Sequence, residues 1–343
     1  GPCANDLWFG GYSGEPYEKV SLLDGIRNKA GNGTEVLFAQ GCRLTINTTL
    51  SYFNWKYDEI KVASREENLK LIKEAVKVGS GADLVILALG ENEHLCREAW
   101  AQNHIGDNNT LDLFGEQGEL ADAVTALGKP VVLYLMNGRP LSFNKLAEKV
   151  PAIVEGWYMG QETGTAAADI LFGEVNPSGK LTITFPKSAG QLPMYYNHKP
   201  SAQWQDYISQ DVRPLFHFGF GLSYTKFRYG KPELRKSTVK KGETAKVTVE
   251  VTNAGKVAGD EIVQLYIRDM VSSVTRPVKE LKGFARISLK PGETKKVSFD
   301  ITPEKLAFHN IDMKYVVEPG DFEIMTGSSS CDEDLQKSIL TVM

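Results

Sequence analysis

The chain contains no apolar run approaching the roughly 18 consecutive residues of a membrane-spanning helix, so no transmembrane segment is expected. It has no surplus of positive charge: 39 Lys and Arg stand against 43 Asp and Glu, a formal charge of -4. That balance supplies neither the basic footprint of a nucleic-acid surface nor a polybasic patch for anionic lipid, so neither a nucleic acid nor a membrane is an expected partner. Cysteine is scarce, and Cys3, Cys42, Cys96 and Cys331 are scattered without CxxC or Cys/His ligand spacing. No metal site is therefore expected, and the four read as buried thiols or at most one disulfide. No GxGxxG and no P-loop follows an apolar run, which argues against a nucleotide-binding α/β protein. The start, Gly1-Pro2-Cys3, carries neither a Met nor the charged-then-apolar pattern of a signal peptide, and reads as a cut or processed end. Three Asn-x-Ser/Thr sequons, at Asn32, Asn47 and Asn108, arise too easily by chance to decide the compartment.

What is present has two textures, and a length of 343 residues suits two domains. From about residue 20 to 180, helical and strand patterns alternate. Helices are expected over 21–29, 64–78, 116–127 and 163–172, the second with Leu69, Ile72, Ala75 and Val76 turned inward. Strands are expected over 35–39, 84–89, 130–136 and 153–157; the second and third of these are nearly unbroken apolar runs, as in a parallel sheet covered on both faces. From about 235 onward the pattern becomes alternating strands over 245–253, 261–269, 295–301 and 321–326, with turns at Gly242-Glu243, Pro291-Gly292 and Pro319-Gly320. The expected fold class is thus α/β plus all-β. A mostly parallel α/β sandwich over 1–185 leads through a connecting segment, 186–234, to an immunoglobulin-like or fibronectin type III-like β-sandwich over 235–343.

The richest stretch for chemistry is Gly90-Glu91-Asn92-Glu93-His94-Leu95-Cys96-Arg97-Glu98-Ala99-Trp100, which follows the apolar run 84–89. A buried strand that ends in Gly and opens into a loop with three carboxylates places acids at the carboxyl edge of a sheet, where open α/β folds hold ligands. Glu91, Glu93 and Glu98 can equally be solvated loop charges. Asn137-Gly138-Arg139-Pro140 follows the next apolar strand, and Arg139 is open to two roles, substrate contact or fixed ion-pair partner.

Several segments then fall in a familiar order: Leu135-Met136-Asn137-Gly138-Arg139-Pro140, Trp157-Tyr158-Met159-Gly160-Gln161-Glu162-Thr163-Gly164, and Asp169 through Leu181 with its Asn176-Pro177-Ser178-Gly179-Lys180 core. Phe185-Pro186-Lys187-Ser188, Gln191-Leu192-Pro193-Met194-Tyr195-Tyr196 and Pro214 through Tyr224 continue it, and Pro277 through Phe284 closes it. Together they resemble family 3 glycoside hydrolases, the β-glucosidase and β-xylosidase group, over nearly the whole chain. Most of these residues read as structural, with Phe216, Phe218, Phe220 and Tyr224 expected to pack between the two domains.

The resemblance implies a retaining, exo-acting β-glycosidase whose substrate is a β-linked oligosaccharide or glycoside, with no metal or organic cofactor and an extracytoplasmic setting. By the same resemblance Glu98, in Arg97-Glu98-Ala99, is the general acid/base, with Glu91 as the fallback. Trp100, His104 and Arg139 are candidate substrate contacts. Retaining glycosidases need two carboxyl groups about 5 Å apart. The family's nucleophilic Asp stands in a Ser/Thr-Asp-Trp context on an N-terminal (β/α)8 barrel, and neither tripeptide occurs in this sequence. The chain is therefore expected to supply the proton donor and to be inactive alone, the barrel being its partner. The alternative from another class is a non-catalytic carbohydrate-binding or barrel-stabilising module.

The segment departs from the family pattern after Glu98. The usual Ser-Arg is missing and the loop to Leu111-Asp112-Leu113-Phe114-Gly115 is longer.

Overall fold

A computed structural model of the chain describes residues 1–7, 9, 17–46, 60–98, 106–200 and 209–343. Contacts divide it into two units, one of residues 1–175 with 187–190, the other of 176–186 with 191–343.

In the first unit, local capping starts two of the helices. Helix α1, Leu22–Lys29, begins where the Ser21 side chain accepts a bond from the Asp24 amide, with Asp24 in the first turn and Arg27 and Lys29 in the last. Helix α2, Arg65–Ser80, is capped in the same way by Ser64 on the Glu67 amide. Its inward face carries Asn68, Ile72, Ala75 and Gly79, while Leu69 is exposed. The stripe is rotated from the expected one because Asn68 is held inside: it accepts from the Arg43 amide (2.8 Å) and donates to the Arg43 carbonyl (3.1 Å) and to Glu116 Oε2 (2.7 Å). A buried amide with all of its bonds made is tolerated where an unpaired one is not.

The chain then runs through β1 (Val85–Gly90), the single-turn α3 (Glu93–Cys96), α4 (Gln117–Thr125), β2 (Val131–Met136), α5 (Asn144–Lys149), β3 (Ala152–Glu155) and α6 (Thr163–Leu171). The three strands form one parallel sheet in the order β1-β2-β3, with Gly90 opposite Met136 and Leu133 opposite Ile153. In the central strand Leu133, Tyr134 and Leu135 have no solvent exposure, which explains the unbroken apolar run. The short strand expected at 35–39 does not form: Leu37 and Phe38 are exposed, and no strand pairs with them among the described residues. All four cysteines are free thiols.

The second unit is antiparallel except at one edge. Its strands are β4 (Phe227–Tyr229), β5 (Glu233–Leu234), β6 (Thr238–Val239), β7 (Ala245–Asn253), β8 (Gly259–Asp269), β9 (Glu280–Leu289), β10 (Thr294–Ile301), β11 (Phe308–His309), β12 (Tyr315–Val316), β13 (Gly320–Gly327) and β14 (Leu335–Val342). One sheet runs β10-β7-β4 with β5 also on β7, and the other runs β6-β14-β13-β8-β9, where β6 is parallel to β14. Val247, Val249 and Val251 of β7 share a core with Val263, Leu265 and Ile267 of β8 and with Phe322, Ile324 and Leu340. Strict alternation along β7 is the signature of a strand with one face in that core. Strands β9 and β14 were not expected from the sequence. Gly283 and the charged Lys282 and Arg286 interrupt the pattern of β9, which lies at a sheet edge. A single helical turn, α7 (Pro303–Leu306), also stands in this region where no helix was expected, opened by Pro at its first position.

The connecting segment expected over 186–234 is largely part of this second unit, whose first residues begin at Asn176 rather than after 185. Asn176 Oδ1 accepts from Ser223 Oγ and the Tyr224 amide (both 2.8 Å), and its Nδ2 donates to the Ala258 carbonyl (2.9 Å). Lys180 pairs with Glu261 at 3.0 Å. The rings expected between domains pack within this unit: Phe218 stacks on Tyr196 with centroids 4.2 Å apart, and Phe216 on Phe220 at 5.5 Å.

Helices α1 and α6 meet backbone to backbone. A Cβ on Gly164 would stand 1.9 Å from the Ser21 carbonyl oxygen, and one on Gly25 would stand 2.0 Å from the Gly164 carbonyl oxygen. Gly164→Ala should therefore force the two helices apart and destabilise the unit by about 1–3 kcal/mol, in keeping with overpacked cores. Thermal unfolding followed by circular dichroism checks this, and an unchanged midpoint would contradict the tight contact.

Candidate active site

The carboxyl ends of the three parallel strands gather the polar groups of the first unit. Strand β1 ends at Gly90 with φ of 149°, and a Cβ there would lie 1.9 Å from the Met136 carbonyl oxygen, so only glycine fits. The Gln117 side chain clamps this residue, accepting from the Gly90 amide and donating to its carbonyl, both at 2.8 Å.

Glu91 follows with no solvent exposure. Arg139, just past β2, grips it in a fork: Nε donates to Oε2 at 2.8 Å and Nη2 to Oε1 at 2.5 Å, while Nη1 donates to the Thr110 carbonyl at 2.7 Å. Burial by itself would lower the guanidinium's pKa, but the bound Glu91 carboxylate outweighs it and raises the value. The fork engages both Glu91 oxygens and the side chain has no solvent exposure, which speaks against the fallback assignment of Glu91 as the proton donor. Arg139, a candidate substrate contact, makes the fixed ion pair that was its other expected role, with its side chain still 21% exposed.

Tyr158, after β3, donates its hydroxyl to the Glu91 carbonyl at 3.1 Å and lies 3.7 Å from Cys96 Sγ. The Cys96 thiol in turn donates to the Asn92 carbonyl at 3.2 Å. Burial, reinforced by the Glu91 charge, pushes that thiol up to about 11, which rules it out as a nucleophile near neutral pH.

Glu98 is in a different position. Helix α3 ends at Cys96, and two residues later Glu98 is exposed to solvent, with no ion-pair partner among the described residues. The amide of Asp107 donates to the Arg97 carbonyl at 2.8 Å, tying together the two flanks of the segment that Glu98 opens. Trp100 and His104 lie outside the described residues.

One residue escaped the reading of the sequence. Glu155, the last residue of β3, accepts from the Trp157 amide at 3.1 Å and from Asn137 Nδ2 at 3.3 Å. Trp157 has φ of 53°, an unusual backbone for a bulky residue, and the Glu155 carboxylate is what meets its amide. Burial pushes Glu155 up to about 8, against the two hydrogen bonds that favour its charge. The signal was available: a carboxylate ending an apolar strand and followed by Gly, at the same carboxyl edge of the sheet as the loop after β1.

Against known proteins, residues 1–224 match the glycosyl hydrolase family 3 C-terminal domain and residues 261–330 match a fibronectin type III-like domain. A beta-xylosidase of Formosa agariphila is 45% identical across 97% of the chain, which covers 43% of that protein. A periplasmic beta-glucosidase of Salmonella typhimurium is 41% identical across 93% of the chain, covering 42% of its own length. Among solved structures, a b-glucosidase from Erythrobacter marinus superposes over the full chain with a TM-score of 0.93 and 43% identity, 46% of that protein being covered. The chain thus spans less than half the length of these relatives.

Two outcomes follow from the geometry. Arg139→Ala leaves Glu91 buried without its counter-charge and should cost about 3–5 kcal/mol in denaturant unfolding, with Arg139→Lys recovering only part because an ammonium cannot reproduce the fork. Glu155 binds its proton more tightly folded than unfolded, so its contribution to stability is fully present below about pH 4.5 and is lost as pH rises towards about 8. Unfolding free energies measured across that window should fall for the native chain, and Glu155→Gln should flatten the fall.

Proposed function

Because this chain belongs to glycosyl hydrolase family 3, we propose that it works as the C-terminal part of a retaining, exo-acting β-glycosidase of the β-glucosidase or β-xylosidase type, with Glu98 as its general acid/base. The observation that carries this reading is the contrast between the acids of one sheet edge: Glu91 is sealed in a buried fork with Arg139, whereas Glu98 is exposed, with no counter-charge paired to it among the described residues. An acid/base residue must reach the glycosidic oxygen and later a water, and Glu98 can do so.

In the first step the Glu98 carboxyl gives its proton to the departing oxygen while a second carboxylate attacks the anomeric carbon. In the second step Glu98 takes a proton from the water that releases the glycosyl-enzyme. The second carboxylate is assigned to a (β/α)8 barrel partner, since no Ser/Thr-Asp-Trp segment stands in this sequence. The buried Glu91–Arg139 pair fixes the end of β1, from which the chain leads to Glu98, without taking part in proton transfer.

The test uses the barrel-containing enzyme. Proton donation contributes typically about 10²–10⁴-fold and matters most for poor leaving groups. Glu98→Ala should therefore cripple hydrolysis of alkyl glycosides and disaccharides yet spare the first step for nitrophenyl glycosides, and azide should restore turnover with a β-glycosyl azide as product. An equal loss on all substrates without azide rescue would remove Glu98 from this role.

A further inference from the structure

The second unit carries a partly open cleft of about 590 Å³, within the size range of small-molecule sites. It is built wholly from residues of that unit and includes none of the groups discussed above as catalytic. One wall is apolar and fixed: Tyr196 is stacked on Phe218 and accepts the Leu281 amide through its hydroxyl at 3.2 Å. Beside it Tyr195, which also lines the cavity, leaves 63% of its surface exposed.

Polar groups line the cavity as well. Lys279 also lines the cavity, only 6% exposed, and its ammonium donates to the Ser330 carbonyl and to Asp332 Oδ1, both at 2.9 Å, two of its three hydrogens. Ser330 is 4% exposed, lines the same cavity, and its Oγ has no hydrogen-bond partner among the described residues. A buried hydroxyl left unbonded is costly, so the Ser330 oxygen is a position that a ligand hydroxyl or a water reaching it would satisfy. His217 stands among these groups, and burial, with the Lys279 charge adding to it, lowers its pKa, which keeps a neutral ring with one donor and one acceptor.

The lining charges nearly balance: Arg213, Arg268, Lys279 and Lys337 against Glu323, Asp332 and Glu333. A strong anion such as phosphate would meet those carboxylates. A metal ion finds no cluster of three His, Cys, Asp or Glu side chains among the described residues. A hydroxyl both donates and accepts, so a neutral polyol suits a wall that offers both, and the C–H face of a sugar ring suits the tyrosines.

We propose that this cavity is a second carbohydrate site, one that holds a neutral sugar of a glycan against Tyr195 and Ser330 without cleaving it. The choice of a sugar among neutral polyols rests on the glycosidase reading.

The experiment titrates the full 343-residue chain with cellobiose and with xylobiose, read by calorimetry and by chemical-shift changes. Saturable binding of either disaccharide is expected. Tyr195→Ala should weaken it by about tenfold, and Ser330→Ala by about threefold to tenfold without loss of thermal stability, because the unbonded hydroxyl is removed. Glu98→Ala should bind as the native chain does. Absence of binding, binding indifferent to both cavity variants, binding lost in Glu98→Ala, or saturable binding of inorganic phosphate that displaces the sugar would each overturn the proposal. The readout involves no turnover. An enzyme that fails the leaving-group test while the chain binds xylobiose through Tyr195 sinks the mechanism and leaves this site, and the converse result does the reverse.

Discussion

A carboxylate with no access to water, that of Glu91, is held by the guanidinium of Arg139, and the edge of the parallel sheet is arranged around that pair. An isolated buried charge is costly enough that the fold must bring a counter-charge with good geometry. Arg139 does so from the end of the neighbouring strand, and its remaining contact reaches the Thr110 carbonyl. Tyr158, from beyond the third strand, bonds the Glu91 carbonyl, so the ends of all three strands converge on one residue. Loss of the pair would leave this convergence without its centre.

The same constraint divides labour among the acids. Glu91 is spent on structure, and Glu155 is turned inward on a backbone amide and on Asn137. Only past the single turn of α3 does the chain carry a carboxylate, Glu98, out into solvent. Three carboxylates that look alike in composition thus have three environments, and environment rather than residue type decides which can move a proton. The thiol of Cys96, beside the pair, is made inert by the burial that makes the pair strong.

The second unit is organised on other terms. Its stability rests on two faces of alternating strands, with a valine ladder on β7 against β8 and β13, and one group of its buried polar side chains lines a cavity. There Lys279 and Ser330 are nearly fully buried away from the main apolar core. Buried polar groups outside a core are where recognition is to be sought, since packing alone gives no reason to keep them.

Much of this was legible in the residues. The amphipathic pattern over 21–29 and 64–78 announced two helices, and the apolar runs 84–89 and 130–136 announced buried parallel strands, because side-chain period is a property of the local chain. The β texture after 235 was legible for the same reason, and the order of motifs marked the family. What only the tertiary structure decided is which distant groups meet. Glu91 and Arg139 are 48 residues apart, so nothing local distinguishes a locked carboxylate from a solvated one. Asn68 takes an inward position on α2 because Arg43 and Glu116 satisfy it, and residues 176–186 join the β unit because Asn176 and Lys180 find partners there. Glu155 has its pKa raised by burial, which the packed fold creates. Local hydrogen bonds and periodicity are written along the chain, whereas desolvation and charge pairing depend on distances in space that only the packed fold sets.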